Sequence, residues 1–157
     1  MKEKRFIKKL IRENKISLVK SSQEICESYN QKSENSLRAA KVLLEQKLLE
    51  ETTTMSYYAM FHKTTALFRL IGIKCENHTA NIILIKEIFN LENKDILYAK
   101  KERVDKQYYT DFIITSKDAK DSIEKAEEYI ETLDMFIDKL TEDKRNNLKK
   151  KFKETYF

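Results

Sequence analysis

Apolar residues recur at helical spacing along nearly the whole chain, and the interruptions mark where one helix gives way to the next. Over residues 4–19, Ile7, Leu10, Ile11, Leu18 and Val19 form a broken apolar stripe beside Lys4, Lys8, Arg12 and Lys15. This predicts a basic amphipathic helix attached to the main body. The pattern weakens at Tyr29 and Asn30. Ser33 or Asn35 is then placed to cap a second helix carrying Leu37, Ala40, Val42, Leu44 and Leu48. Thr52, Thr53 and Thr54 open a third, over residues 55–71, in which Tyr57, Tyr58, Met60, Phe61, Leu67, Phe68 and Leu70 cover almost every side. A helix without a polar face is usually buried, so this one is expected at the centre of the core.

Gly72 stands where a helix C′ residue is expected. A short apolar helix follows over 81–89, then a charged one over about 93–109 and a loop over 110–115. Thr115 and Asp118 approximate a capping box, so a long helix starts near Ser116. Its apolar positions, Ile123, Ala126, Ile130, Leu133, Ile137 and Leu140, are spaced by three or four residues. Residues 141–157 extend that helix or fray. The expected fold is all-α, a helical bundle of five to six helices joined by short loops. Residues 1–29 form a basic helical extension and 141–157 a basic tail.

Composition sharpens this picture. The 157 residues fit one domain, and they include one glycine and no proline. Sandwiches, barrels, P-loops and dinucleotide-binding turns need glycine and proline for positive or preset φ angles, so these classes are excluded. Cys26 and Cys75 lie far apart, with neither metal-ligand spacing nor a disulfide framework between them. No apolar run reaches the roughly 18 residues that span a bilayer. Lys8 and Lys9 break the N-terminal apolar residues, so no signal-peptide core forms. The expectation is a soluble, reduced, cytoplasmic protein.

The net charge of +5 is unevenly spread. Residues 1–20 hold eight Lys/Arg against two Glu, and residues 139–157 hold seven against three acidic residues. The segment between them is slightly acidic. Two basic ends suit contact with an anion such as RNA, and they equally suit ordinary solvated helix faces. Near the C-terminus, Tyr156 and Phe157 accompany Lys149, Lys150, Lys151 and Lys153 and offer rings on which bases could stack.

The stretch Ser56-Tyr57-Tyr58-Ala59-Met60-Phe61-His62, then Leu70-Ile71-Gly72-Ile73-Lys74 and His78, carries a more specific signal. So does Arg103 with Tyr108 five residues on, before Ser122-Ile123-Glu124-Lys125-Ala126-Glu127-Glu128-Tyr129-Ile130. Over roughly residues 30–140 these blocks resemble the HEPN superfamily. The resemblance is to its small stand-alone prokaryotic members, often encoded beside a minimal nucleotidyltransferase. It implies an up-and-down helical bundle over residues 30–140 that dimerises. It also implies a toxin that cleaves RNA without a metal or other cofactor and is neutralised by that nucleotidyltransferase antitoxin.

In the family an Arg, followed after four to six residues by His, meets its copy across the dimer. The Arg holds the phosphate, and the His moves protons as the RNA 2′-OH attacks. Arg103 matches the arginine, and its planar cationic fork suits a phosphate. Tyr108 stands in place of the histidine. A phenol with a pKa of about 10 is a poor base at neutral pH compared with an imidazole near about 6.5. In some members a tyrosine two residues after the histidine accepts AMP from the partner. Here that position is Thr110, with Tyr108 and Tyr109 beside it.

Arg103 and Tyr108 are therefore the candidate catalytic pair. Tyr109, Thr110, Asp105, Tyr58 and His62 are candidates for nucleotide or RNA binding or for modification. Three outcomes stay open: a ribonuclease using Tyr108 or His62, a module that binds nucleotide or RNA without cleaving it, and an accessory subunit of a nucleotidyltransferase. Plainer roles accompany each residue. Arg103 sits among Lys100, Lys101, Glu102, Asp105 and Lys106 and fits an exposed ion-pair face, while Tyr57, Tyr58 and His62 fit a core helix. His78, between Asn77 and Thr79, fits a helix cap. Two histidines without paired carboxylates make no metal site.

Overall fold

A computed structural model describes residues 1–108 and 113–157, with side chains through 103 and from 113 onward. The fold is all-α. Among the described residues it has seven helices and one two-stranded ribbon, in the order α1 (Lys2–Arg12), β1 (Ile16–Leu18), α2 (Gln23–Glu45), α3 (Leu49–Ile71), β2 (Ile73–Cys75), α4 (His78–Glu87), α5 (Lys94–Tyr108), α6 (Ser116–Asp138) and α7 (Glu142–Tyr156). None of these helices is long and apolar enough to cross a membrane.

α3 is the central helix, as its pattern requires, and it begins six residues earlier than its apolar residues indicate. Its threonines lie inside the helix because their hydroxyls turn back onto the preceding turn. Thr52 donates to the Leu48 carbonyl at 2.8 Å, Thr53 to Glu50 at 2.8 Å and Thr64 to Met60 at 3.0 Å. Hydroxyls satisfied in this way can be buried.

α2 also starts early. Ser22 caps it by accepting from the Ile25 amide at 3.1 Å, and the helix runs unbroken through Tyr29 and Asn30. No start occurs at Ser33 or Asn35, and the point between 29 and 30 lies inside α2. The apolar pattern fades there because the residues facing inward are Cys26, Ser33, Ser36 and Ala40. These small side chains let α2 approach α3 closely enough for Ser33 to donate to the Ala59 carbonyl at 2.7 Å.

The expected helix over 4–19 stops at Arg12. Asn14 adopts φ 57°, and the Lys15 amide reaches back to the Leu10 carbonyl at 2.9 Å, a helix ending that glycine usually supplies. β1 then pairs antiparallel with β2, with Ile16 opposite Cys75 and Leu18 opposite Ile73. Ile7 and Leu10 of α1 join the main core cluster, so this basic helix is packed onto the bundle.

The C-terminal segment neither extends α6 nor frays. Thr141 caps a separate helix, accepting from the Lys144 amide at 3.2 Å, and Phe152 and Tyr156 of that helix enter the core. Two of its lysines end on the backbone of other segments: Lys149 donates to the Val19 carbonyl at 2.8 Å and Lys151 to the Ile88 carbonyl at 2.9 Å. Gly72 closes α3 with φ 97°. A Cβ there would fall 2.6 Å from the Val19 carbonyl oxygen and 2.7 Å from Lys149 Nζ, so glycine is required for space as well as for φ.

Candidate functional site

α3 turns Tyr57, Tyr58, Phe61 and His62 toward one region, where the start of α4 and the middle of α5 meet it. The Tyr57 and Phe61 rings stack at 6.3 Å between centroids, and those of Tyr58 and His62 at 5.9 Å. Tyr58 and His62, four residues apart on α3, thus meet through their rings. Asn77 caps α4 by accepting from the Ala80 amide at 2.9 Å, which leaves His78 as the first helical residue. The imidazole of His78 lies flat on Phe61, with centroids 3.9 Å apart and planes at 10°. Its Nδ1 shares a 2.7 Å hydrogen bond with the Tyr57 hydroxyl.

α5 supplies the charge. The Arg103 guanidinium carbon lies 5.0 Å from the Tyr58 ring centre and 5.4 Å from that of Tyr57. Such cation–ring contacts attract through the ring quadrupole. One turn earlier, Lys100 donates to Thr79 Oγ1 at 2.6 Å and fastens α5 to the first turn of α4.

Burial sets the protonation states. It drives the Tyr57 phenol well above the ordinary tyrosine range, opposed in part by Arg103, so the phenol stays protonated at neutral pH. It pushes His78 below the usual histidine range, and Arg103, Lys100 and His62 add to that shift. His62 is lowered too, by burial and then by Lys32. Both imidazoles are therefore neutral at pH 7, able to accept a proton or donate a hydrogen bond. Two polar atoms at this place, Arg103 Nε and His62 Nδ1, are buried without a hydrogen-bond partner among the described residues. Buried polar atoms are rarely left so, and such atoms mark a place where a further group can be accommodated.

The structure brings together three of the sequence candidates, Arg103, Tyr58 and His62. Beyond His62 the ring series continues to Tyr29, 6.2 Å away, with the Lys32 ammonium 4.9 Å from the Tyr29 centroid. The side chains of Asp105 and Tyr108, together with Tyr109 and Thr110, lie outside the described residues. Two members of the cluster escaped the sequence as site residues. Tyr57 reads as core, and it is buried. His78 reads as a cap, but Asn77 performs that role. Their contact spans 21 positions, so no local spacing signals it.

Residues 26–136 match the family model described as HEPN domain, a span that runs from α2 into α6 and includes every residue of the cluster. The chain is also 28% identical, over 107 residues, to the putative toxin MJ0605 of Methanocaldococcus jannaschii; that alignment covers 68% of this chain and 79% of the relative.

Proposed function

The chain belongs to the HEPN family, and on that premise we propose that it is the toxin of a toxin–antitoxin pair. In this reading it is a homodimeric ribonuclease that cleaves RNA without a metal and is restrained by a minimal nucleotidyltransferase. The observation that carries the reading is Arg103, half-buried on Tyr57 and Tyr58 beside a neutral imidazole, with its Nε unpartnered among the described residues. A guanidinium anchored in this way is pre-positioned for a phosphate, and the edges of Tyr58 and His62 suit a base. The relative MJ0605 adds support through its own description as a putative toxin. Leu97 of α5 and Ile113, on either side of the Arg103 segment in sequence, are exposed apolar residues that a second copy could cover. Silencing by transfer of AMP would fall near Tyr108 and Tyr109, with the Thr110 hydroxyl as a further acceptor.

The test is growth and total RNA after induced expression of wild type and Arg103→Ala, each alone and with the neighbouring nucleotidyltransferase gene. Arrest and RNA cleavage by the wild type only, relieved by the neighbour, are the expected results. Tyr108, where the family carries histidine, favours a second reading: a non-catalytic nucleotide- or RNA-binding module, or an accessory subunit of the nucleotidyltransferase. Normal growth and intact RNA in every arm would overturn the ribonuclease reading and favour that one instead.

A further inference from the structure

We propose that Tyr57 and His78 form, with Arg103, the proton-transfer centre of this site: the imidazole absent after Arg103 in sequence is supplied in space by the first residue of α4. The proposal rests on the ribonuclease reading and assigns its missing base. Its substrate class is a ribonucleotide phosphodiester, which brings both a phosphate for Arg103 and a 2′-hydroxyl for His78.

The geometry distinguishes His78 from the alternatives. A base has to be held in place, and the His78 ring is fixed on two sides, by stacking on Phe61 at 3.9 Å and by the 2.7 Å bond from Nδ1 to Tyr57. His62 has neither constraint, since its Nδ1 is unpartnered among the described residues and its closest ring contact is at 5.9 Å. Arg103 also lies near enough to His78 to depress its protonation, whereas the charge that acts on His62 is Lys32.

Tyr57 is a positioning residue. With Nδ1 occupied by the phenol, Nε2 is the nitrogen left for substrate. A phenol both donates and accepts, so rotation of its O–H accommodates either form of the ring. When Nδ1–H donates to the Tyr57 oxygen, Nε2 carries the lone pair and is a base. When the Tyr57 hydroxyl donates to Nδ1, Nε2–H is a donor to phosphate.

In the reaction, Nε2 takes the proton of the 2′-hydroxyl as the 2′-oxygen bonds to phosphorus, and Arg103 holds the non-bridging oxygens. The P–O5′ bond breaks and O5′ takes a proton from water. The imidazolium returns its proton to solvent, leaving a 2′,3′-cyclic phosphate and a 5′-hydroxyl. The groups that face His78 are Tyr57, Tyr58 and His62 from α3 and Lys100 and Arg103 from α5. Glu76 lies just before α4, and Lys2 and Glu3 of α1 lie across the groove at Thr79. The cations and burial favour the neutral, basic form, so activity should persist to a lower pH than an unperturbed histidine allows.

The deciding experiment measures cleavage of an oligoribonucleotide against pH for wild type, His78→Asn, His78→Gln, Tyr57→Phe and Arg103→Ala, with folding of each checked by circular dichroism. His78→Asn keeps a partner for Tyr57 in the Nδ1 position and loses the Nε2 side of the ring together with its stacking on Phe61. The expected result is a fall in kcat of about 100-fold or more for His78→Asn with KM little changed, and loss of the acid limb of the pH profile. Tyr57→Phe should keep partial activity with the acid limb moved to lower pH, because the charged ring loses its acceptor. Wild-type cleavage and an unchanged acid limb in folded His78→Asn or His78→Gln, with Arg103→Ala inactive, would overturn this proposal and leave the ribonuclease reading standing. No cleavage by the wild type itself would overturn both.

Discussion

On α7, Lys149 and Lys151 each end on a backbone carbonyl of another segment, at Val19 and at Ile88. On α5, Arg103 lies instead across two aromatic rings and keeps a buried Nε with no partner among the described residues. From charge, the α7 segment is the candidate anion surface, whereas Arg103 sits in a mixed-charge segment that fits an ion-pair face. The difference lies in what the folded chain already gives each cation. A lysine whose ammonium caps a carbonyl is committed to the fold. An arginine resting on π faces keeps hydrogen-bonding edges for something else. Charge locates cations, but their partners separate structure from function.

The comparison breaks most visibly on the α7 side. Phe152 is fully buried, so Phe152→Ala should destabilise the bundle by about 3–5 kcal/mol, read as a shift in the denaturation midpoint. If α7 were a loosely attached tail, the midpoint would not move.

Lys149→Met comes next. It strips the Val19 carbonyl of its charged donor, and a loss of about 1–2 kcal/mol is expected, whereas Lys150→Ala should stay within about 0.5 kcal/mol. Lys150 is a fit control because its side chain is 72% exposed. Equal effects of the two would mean that the carbonyl contact contributes nothing.

Arg103→Ala should affect stability less, by about 0.5–1 kcal/mol from the lost ring contacts. A large destabilisation there would make Arg103 structural and collapse the contrast between the two regions.

The smallest effect expected is one of pH. His62 and His78 have folded pKa values below the unfolded value of about 6.5. The unfolded chain therefore binds more protons in acid, so this contribution is complete above about pH 7 and is lost as pH falls through the folded values. Melting temperature should drop between pH 7.5 and 5, and drop less in the double variant His62→Gln, His78→Asn. Parallel curves would show that the imidazoles are not desolvated.

Local chemistry made much of the bundle legible. Gly72 ends α3 and the Thr115–Asp118 box opens α6 as expected, because a positive φ and a cap are decided within four residues. The first half of α2 stayed hidden because its inward face is built from small polar residues rather than large apolar ones. The end of α1 was missed because asparagine replaces glycine in the left-handed position. Strand β1 exists only through β2, more than fifty residues away, and a three-residue strand carries no period of its own. At the site, Arg103, Tyr58 and His62 were legible through the spacing of their blocks. The Tyr57–His78 bond was not, since two helices meet to make it.

The contact between Lys149 and Val19 joins positions 130 residues apart. During synthesis α2 and α3 can pair with each other early, because only a short turn separates them and their contact closes a small loop. The seal over Gly72, together with Phe152, cannot form until α7 has emerged, and it closes a far longer loop. The interior beneath α7 therefore stays open to water throughout translation of the helices that carry Tyr57, His78 and Arg103.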